Sequence, residues 1–93
     1  MPLEYNLVKW TLRRVREVGG KGINLRGSVY TEKGTPDVIA CVRGRTVVIE
    51  LKRENGGRAS RIQVYRLGEW RRAGAVAGVA ETRGEVEDIL SEI

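Results

Sequence analysis

Ninety-three residues suffice for one domain, residues 1–93, with a modest core and no room for a separate recognition module. The apolar fraction of 41% excludes a disordered tail, and a net charge of +5, from 17 Lys and Arg against 12 Asp and Glu, suits a polyanionic partner. The absence of histidine excludes Ser-His chemistry and His-metal sites, and a single cysteine, Cys41, excludes an internal disulfide or a cysteine metal cluster. Chemistry must therefore run on carboxylates, Lys, Gln and Tyr. No apolar run approaches a membrane span and no signal peptide opens the chain, so the expected location is cytoplasmic.

The chain reads in order as helix, strand, hairpin, helix, strand, helix. Over residues 3–18, Leu3, Leu7, Thr11, Leu12, Val15 and Val18 recur at helical spacing, with Lys9, Arg13 and Arg16 opposite. Gly19-Gly20 ends that helix. Residues 23–30 are expected to form a strand and 31–35 a turn. Residues 38–42 and 46–51 are Val- and Ile-rich strands joined by a short Gly-containing turn. Cys41 falls in the first of them, where a buried, inert thiol is expected. A loop over residues 54–59 centres on Asn55-Gly56-Gly57. Ser60-x-x-Gln63 has the spacing of a capping box and opens a helix to about Ala73, with Gly74 past its end. Residues 75–80 form a small-residue strand. Thr82-x-x-Glu85 is a second capping box, and Val86, Ile89, Leu90 and Ile93 give the last helix one apolar face. Strands alternating with helices predict an α/β fold, a mixed sheet flanked by helices.

The chemical signal lies in Pro36-Asp37 and Glu50-Leu51-Lys52. Side chains alternate along a strand, so Glu50 and Lys52 share a face with Val48. If the hairpin loop is Arg43-Gly44, Val42 pairs with Arg45 and Asp37 lies opposite Glu50. If it is Gly44-Arg45, Asp37 lies opposite Lys52. A three-residue loop without a bulge would send Asp37 to the other face. Two facing carboxylates repel, and a hard cation resolves that. Mg²⁺ or Mn²⁺ is the expected cofactor, with the Leu51 backbone carbonyl as a further ligand. Lys52 would orient or help deprotonate a bound water, or stabilise a pentavalent phosphate. Glu-x-Lys alone is also an ordinary solvated pair; the Pro36-Asp37 that heads the preceding strand is what points to a site.

Four further groups of residues join this argument. Glu4 lies in the apolar stripe of the first helix, either as a paired or metal-bound carboxylate or as a first-turn residue facing the helix dipole. Gln63 shares a helix face with Leu67 and Trp70; it serves the site, the capping box, or both. Arg53, Arg58 and Arg61 surround the loop after Lys52 and are candidate phosphate contacts, with Arg26 and Lys33 as further ones. Of the tryptophans, Trp70 is expected in the core, and Trp10 at the edge of its stripe, available to a partner chain.

Taken in order, Glu4, Gly34-Thr35-Pro36-Asp37, Ile49-Glu50-Leu51-Lys52, Ser60-Arg61-Ile62-Gln63 and Gly74-Ala75-Val76 resemble the PD-(D/E)XK nuclease superfamily. The nearest resemblance is to its VRR-NUC group, particularly the small stand-alone viral and phage versions. The resemblance spans nearly the whole chain. It implies a restriction-endonuclease-like fold, a four-stranded mixed sheet in the order αβββαβα. It implies that Asp37 and Glu50 bind the metal with help from Glu4. Lys52 would serve the attacking water, and Gln63 would position Lys52 or the water. It further implies Mg²⁺- or Mn²⁺-dependent hydrolysis of DNA by a homodimer acting on four-way junctions or other branched DNA, with no small-molecule cofactor. The Gln that often follows the Glu in this group is missing from Glu4-Tyr5-Asn6-Leu7-Val8. An exonuclease or nickase of linear DNA is one alternative. A non-catalytic nucleic-acid-binding module is another.

Overall fold

A computed structural model describes residues 3–27, 29–52 and 58–93, with side chains described from residue 6 onward. The elements are α1 (Leu3–Glu17), β1 (Lys21–Asn24), β2 (Val38–Val42), β3 (Arg45–Leu51), α2 (Arg61–Arg72), β4 (Val76–Ala80) and α3 (Arg83–Leu90). The strands lie side by side in chain order. β1–β2 and β2–β3 are antiparallel and β3–β4 is parallel. A parallel pair cannot be closed by a tight turn, and α2 supplies the crossover.

The β2–β3 hairpin sets the register of the site. Arg43 and Gly44 both have positive φ, 51° and 80°, the conformation a two-residue primed turn requires. Val42 accordingly pairs with Arg45, and Val38 with Ile49. Of the registers open from sequence, this is the one with the Arg43-Gly44 loop.

The alternation of β3 divides its side chains between two layers. Val47, Ile49 and Leu51 join Val38, Ala40, Val42, Val76 and Ala80 beneath Leu7, Val8 and Val15 of α1 and Val86 and Ile89 of α3. Each fully buried Val, Leu or Ile among them contributes about 1.5–3 kcal/mol of transfer free energy. On the opposite face, Val48 and Ala77 pack with Leu67 of α2, with Ile39 and Trp70 at the margin. Trp70 is thus a packing residue. Trp10 packs half-buried at the edge of the larger layer, with the Arg83 guanidinium 5.4 Å from its ring centre.

Three local expectations need correction. The first strand is shorter than residues 23–30, spanning Lys21–Asn24. The Asn24 side-chain oxygen accepts the Arg26 amide at 2.8 Å, which turns the chain out of the sheet. Cys41 is exposed, not buried. It shares a face with Ile39 and Val48, but α2 packs on β3 and β4 and leaves the β1–β2 half of that face open. At α3, the Thr82 hydroxyl accepts the Glu85 amide at 3.1 Å, but the Glu85 carboxylate reaches the Glu81 amide, at 2.7 Å, in place of Thr82's. Only half of the expected box forms. At α2 both halves are present around Ser60 and Gln63.

Candidate active site

Asp37 and Glu50 are the two buried carboxylates among the described residues, 8% and 1% exposed. Extending the β2–β3 register by one residue places them opposite each other, on the α2 side of the sheet. Asp37 stands at the entrance to β2. Its backbone carbonyl accepts the Leu25 amide at 2.7 Å, and its Oδ2 accepts the Leu51 amide at 2.9 Å. A carboxylate that takes an amide from the strand next to it is held rigidly at the sheet's end.

Glu50 meets two groups through one oxygen. Its Oε2 accepts a hydrogen bond from Gln63 Nε2 at 2.8 Å and lies 2.9 Å from Lys52 Nζ. Its Oε1 is buried and has no hydrogen-bond partner among the described residues. Burial is the largest influence on this carboxyl and pushes its pKa up; the hydrogen bond from Lys52 opposes that, Asp37's charge pushes up again, and the charges of Lys52 and Arg26 pull down.

Gln63 serves two purposes with one amide. Its Oε1 accepts the Ser60 amide at 2.8 Å while its Nε2 donates to Glu50. The capping box therefore fixes which end of the amide faces the carboxylate. Sequence reasoning left capping and site roles both open for Gln63, and the geometry contains both contacts. Because Gln63 lies in the first turn of α2, the Glu50 carboxylate also rests near the positive end of that helix.

Arg26, a candidate phosphate contact from sequence, stands beside the acidic pair. Its guanidinium lies 3.7 Å from Asp37 Oδ2, within the cluster. Arg58 and Arg61 are exposed just before and at the start of α2. The Lys33 side chain is exposed and its carbonyl accepts Arg66 Nε at 3.0 Å. Arg53 lies outside the described residues, as does the side chain of Glu4. The described contact of Leu51 with the site runs through its amide, to Asp37.

Sequence reading overlooked Arg66. Its guanidinium joins the loop before Asp37 to α2, reaching the Lys33 carbonyl, Glu32 at 3.5 Å and Glu69 at 2.9 Å. The Arg66–Glu69 spacing is visible in the sequence as an i,i+3 pair, but the contact with Lys33 is not. Gly34 is the partner of this clamp: a Cβ there would lie 2.8 Å from Ile62 Cγ1 and 3.0 Å from its backbone carbon and oxygen. At φ 84° the position also favours glycine.

Among the described residues no group of three Asp, Glu, His or Cys side chains could hold a metal ion. The donors offered are the two carboxylates of Asp37 and Glu50. Hard anionic oxygens, one of them buried and without a partner, fit a small divalent cation.

An α/β chain with a β-hairpin, a crossover helix and a parallel fourth strand, carrying its carboxylates where β2 begins and β3 ends, has the restriction-endonuclease-like fold. A solved structure described as a VRR_NUC domain shares it with a TM-score of 0.80 at 24% identity, over 98% of this chain and 97% of that one. No protein-family model matches the sequence, and no curated protein matches it.

Proposed function

We propose that this chain is a VRR-NUC-type, metal-dependent DNA endonuclease. The observation that carries the proposal is the buried Asp37–Glu50 pair with one unpartnered carboxylate oxygen, flanked by Lys52 and Gln63, on the fold of a VRR_NUC domain.

Asp37 and Glu50 would hold Mg²⁺ or Mn²⁺, with the Leu51 carbonyl and Glu4 as further ligands. When bound, such an ion polarises a phosphoryl oxygen and lowers the pKa of coordinated water. The chain's own groups do the rest. The Leu51 amide holds Asp37 in place. Gln63 holds Glu50 Oε2 and orients that carboxylate. Lys52, 18% exposed, carries its ammonium at the rim, where it can orient the attacking water or neutralise charge that builds on the phosphate. Arg58 and Arg61 would hold flanking phosphates, as would Arg53 and Lys33, and Arg26 would meet the phosphate nearest Asp37.

The substrate reading is four-way or otherwise branched DNA, cut by a homodimer. Two sites related by a two-fold axis suit symmetric cutting, and a chain of 93 residues has little surface of its own with which to grip a large substrate.

The test is cleavage of an end-labelled panel with Mg²⁺: four-way junction, fork, linear duplex and single strand. Paired nicks near the crossover are expected, and Asp37→Ala, Glu50→Ala and Lys52→Ala each reduce cutting to the no-enzyme background. Asp37→Ala keeps most of its DNA binding because the arginines remain. Wild-type cleavage by Lys52→Ala would remove the site assignment. Tight binding with no cutting of any substrate would favour a binding module.

A further inference from the structure

The segment between β1 and β2 starts and ends at the carboxylates. Leu25 donates its amide to the Asp37 carbonyl, 2.7 Å away, and Arg26 lies beside the Asp37 carboxylate. The returning limb is held against α2 by Arg66 on the Lys33 carbonyl and by Gly34 on Ile62. Between these tethered limbs, Val29 and Tyr30 are 85% and 95% exposed, the two most exposed large apolar side chains described. The chain has two Trp, three Tyr and no Phe, so few aromatics remain to be placed in water. Both described tryptophans pack against a core layer.

Chain geometry limits where the tip can be. Tyr30 is five residues from Leu25, so its Cα lies within roughly 18 Å of Leu25, whose amide is bonded to the Asp37 carbonyl. That is about five nucleotide steps of 3.4 Å along a strand whose scissile phosphate sits at the carboxylates. Arg26 and Lys33 bracket the tip in sequence, and an apolar pair between cations suits a nucleobase whose phosphates run alongside. A stacked base inside intact duplex offers no π-face. A base at a branch, fork or frayed end does.

We propose that Val29 and Tyr30 form a stacking wedge for an unpaired nucleobase near the scissile phosphate, and that this contact selects branched over continuous DNA. The inference rests on the nuclease reading and adds the feature of the substrate that the enzyme recognises. Tyr30 supplies the flat ring and Val29 the apolar shoulder. The tethers at Asp37 and α2 limit how far the wedge can lie from the cutting site.

The experiment is metal-free binding, in EDTA, to a four-way junction carrying 2-aminopurine at the branch point and to a linear duplex of the same sequence. The wild type is expected to prefer the junction and to change the emission of the branch-point base. Tyr30→Ala is expected to lower the junction-to-duplex affinity ratio about tenfold, the scale of one base stacked on one ring, and to lose the emission change. Tyr30→Trp should retain both, and Val29→Ser should show a weaker loss. An unchanged Tm in Tyr30→Ala would show that the fold is intact in the variant. An unaltered ratio and unaltered emission in Tyr30→Ala would overturn the wedge alone, provided the wild type still cuts DNA and Asp37→Ala does not. Loss of self-association in Tyr30→Ala, with DNA binding unchanged, would overturn it in favour of a protein contact. A wild type that binds no DNA would remove the wedge and the nuclease reading together.

Discussion

At Glu50 a carboxylate that is 1% exposed has one oxygen paired with Lys52 and Gln63 and the other without a partner among the described residues. Burying such a group is unfavourable, and its pKa is raised. For a carboxyl the sign is fixed by linkage. The folded state holds the proton more tightly than the unfolded state, so stability falls as pH rises from the ordinary carboxylate range through Glu50's raised value. Glu50→Gln removes that loss. Metal-free, the variant is expected to match the wild type in acid and to melt higher at pH 8, with each 1 kcal/mol worth roughly 4–8 °C in a domain of this size. Saturating Mg²⁺ should narrow the gap, because only the wild type retains both carboxylates to bind it. A melting curve for Glu50→Gln that tracks the wild type at every pH would contradict this account. The variant is also expected to be inactive, which would show a residue kept for chemistry at a cost in stability.

At the scale of elements, the candidate site joins two units. Asp37, Glu50 and Lys52 stand at one end of the β2–β3 pair, whereas Gln63 comes from the first turn of α2. The seam is held by Arg66 on the Lys33 carbonyl, by the Glu32 and Glu69 carboxylates on Arg66, and by the close approach of Gly34 to Ile62. Loosening it should move Asp37 relative to Glu50 without removing either. Arg66→Ala is therefore expected to weaken Mn²⁺ affinity about tenfold, as is usual when a residue supporting metal ligands is lost. Titration of Mn²⁺ by electron paramagnetic resonance reads this without any turnover. Arg14→Ala, which breaks the remote 2.6 Å contact with Glu87 between α1 and α3, is the control and should bind Mn²⁺ normally. Equal affinity in the two variants would show that the seam does not position the site. The capping box at Ser60 belongs to this scale too. Ser60→Ala should lose about 0.5–2 kcal/mol of stability and also release the Gln63 amide from its fixed orientation.

For the whole molecule, charge would govern how the proposed DNA substrate is met. The chain carries +5, yet its two buried carboxylates lie in the middle of the proposed contact surface. Affinity must come from cations around that acidic centre, and phosphate contacts of this kind release counterions. The logarithm of DNA affinity should fall linearly with the logarithm of salt concentration. Arg58→Ala and Arg61→Ala should each reduce the slope by about 1, with a similar loss on duplex and junction. Anisotropy titrations across a salt series would read the slope, and unchanged slopes would remove these two residues from the DNA surface. The tip variants differ in kind: Tyr30→Ala should change the preference between substrates and leave the slope alone. No helix among the described residues is long and apolar enough to cross a membrane.

Alternation in residues 46–51 fixed the face shared by Glu50 and Lys52, and the Arg43-Gly44 turn chemistry allowed the register that sets Asp37 across from Glu50. The element order and the Ser60–Gln63 cap were legible for the same reason: each follows from contacts within a few residues along the chain. What the sequence could not supply came from contacts between distant segments. The Asn24 turn shortened β1, and α2 settled over β3 and β4, leaving Cys41 in water despite its apolar strand. Arg26 came to rest beside Asp37, and Arg66 reached a carbonyl 33 positions away. Hydrophobic periodicity records which face of an element is buried. It carries no record of which neighbour does the burying, and that choice, made only when the layers pack, completed the site.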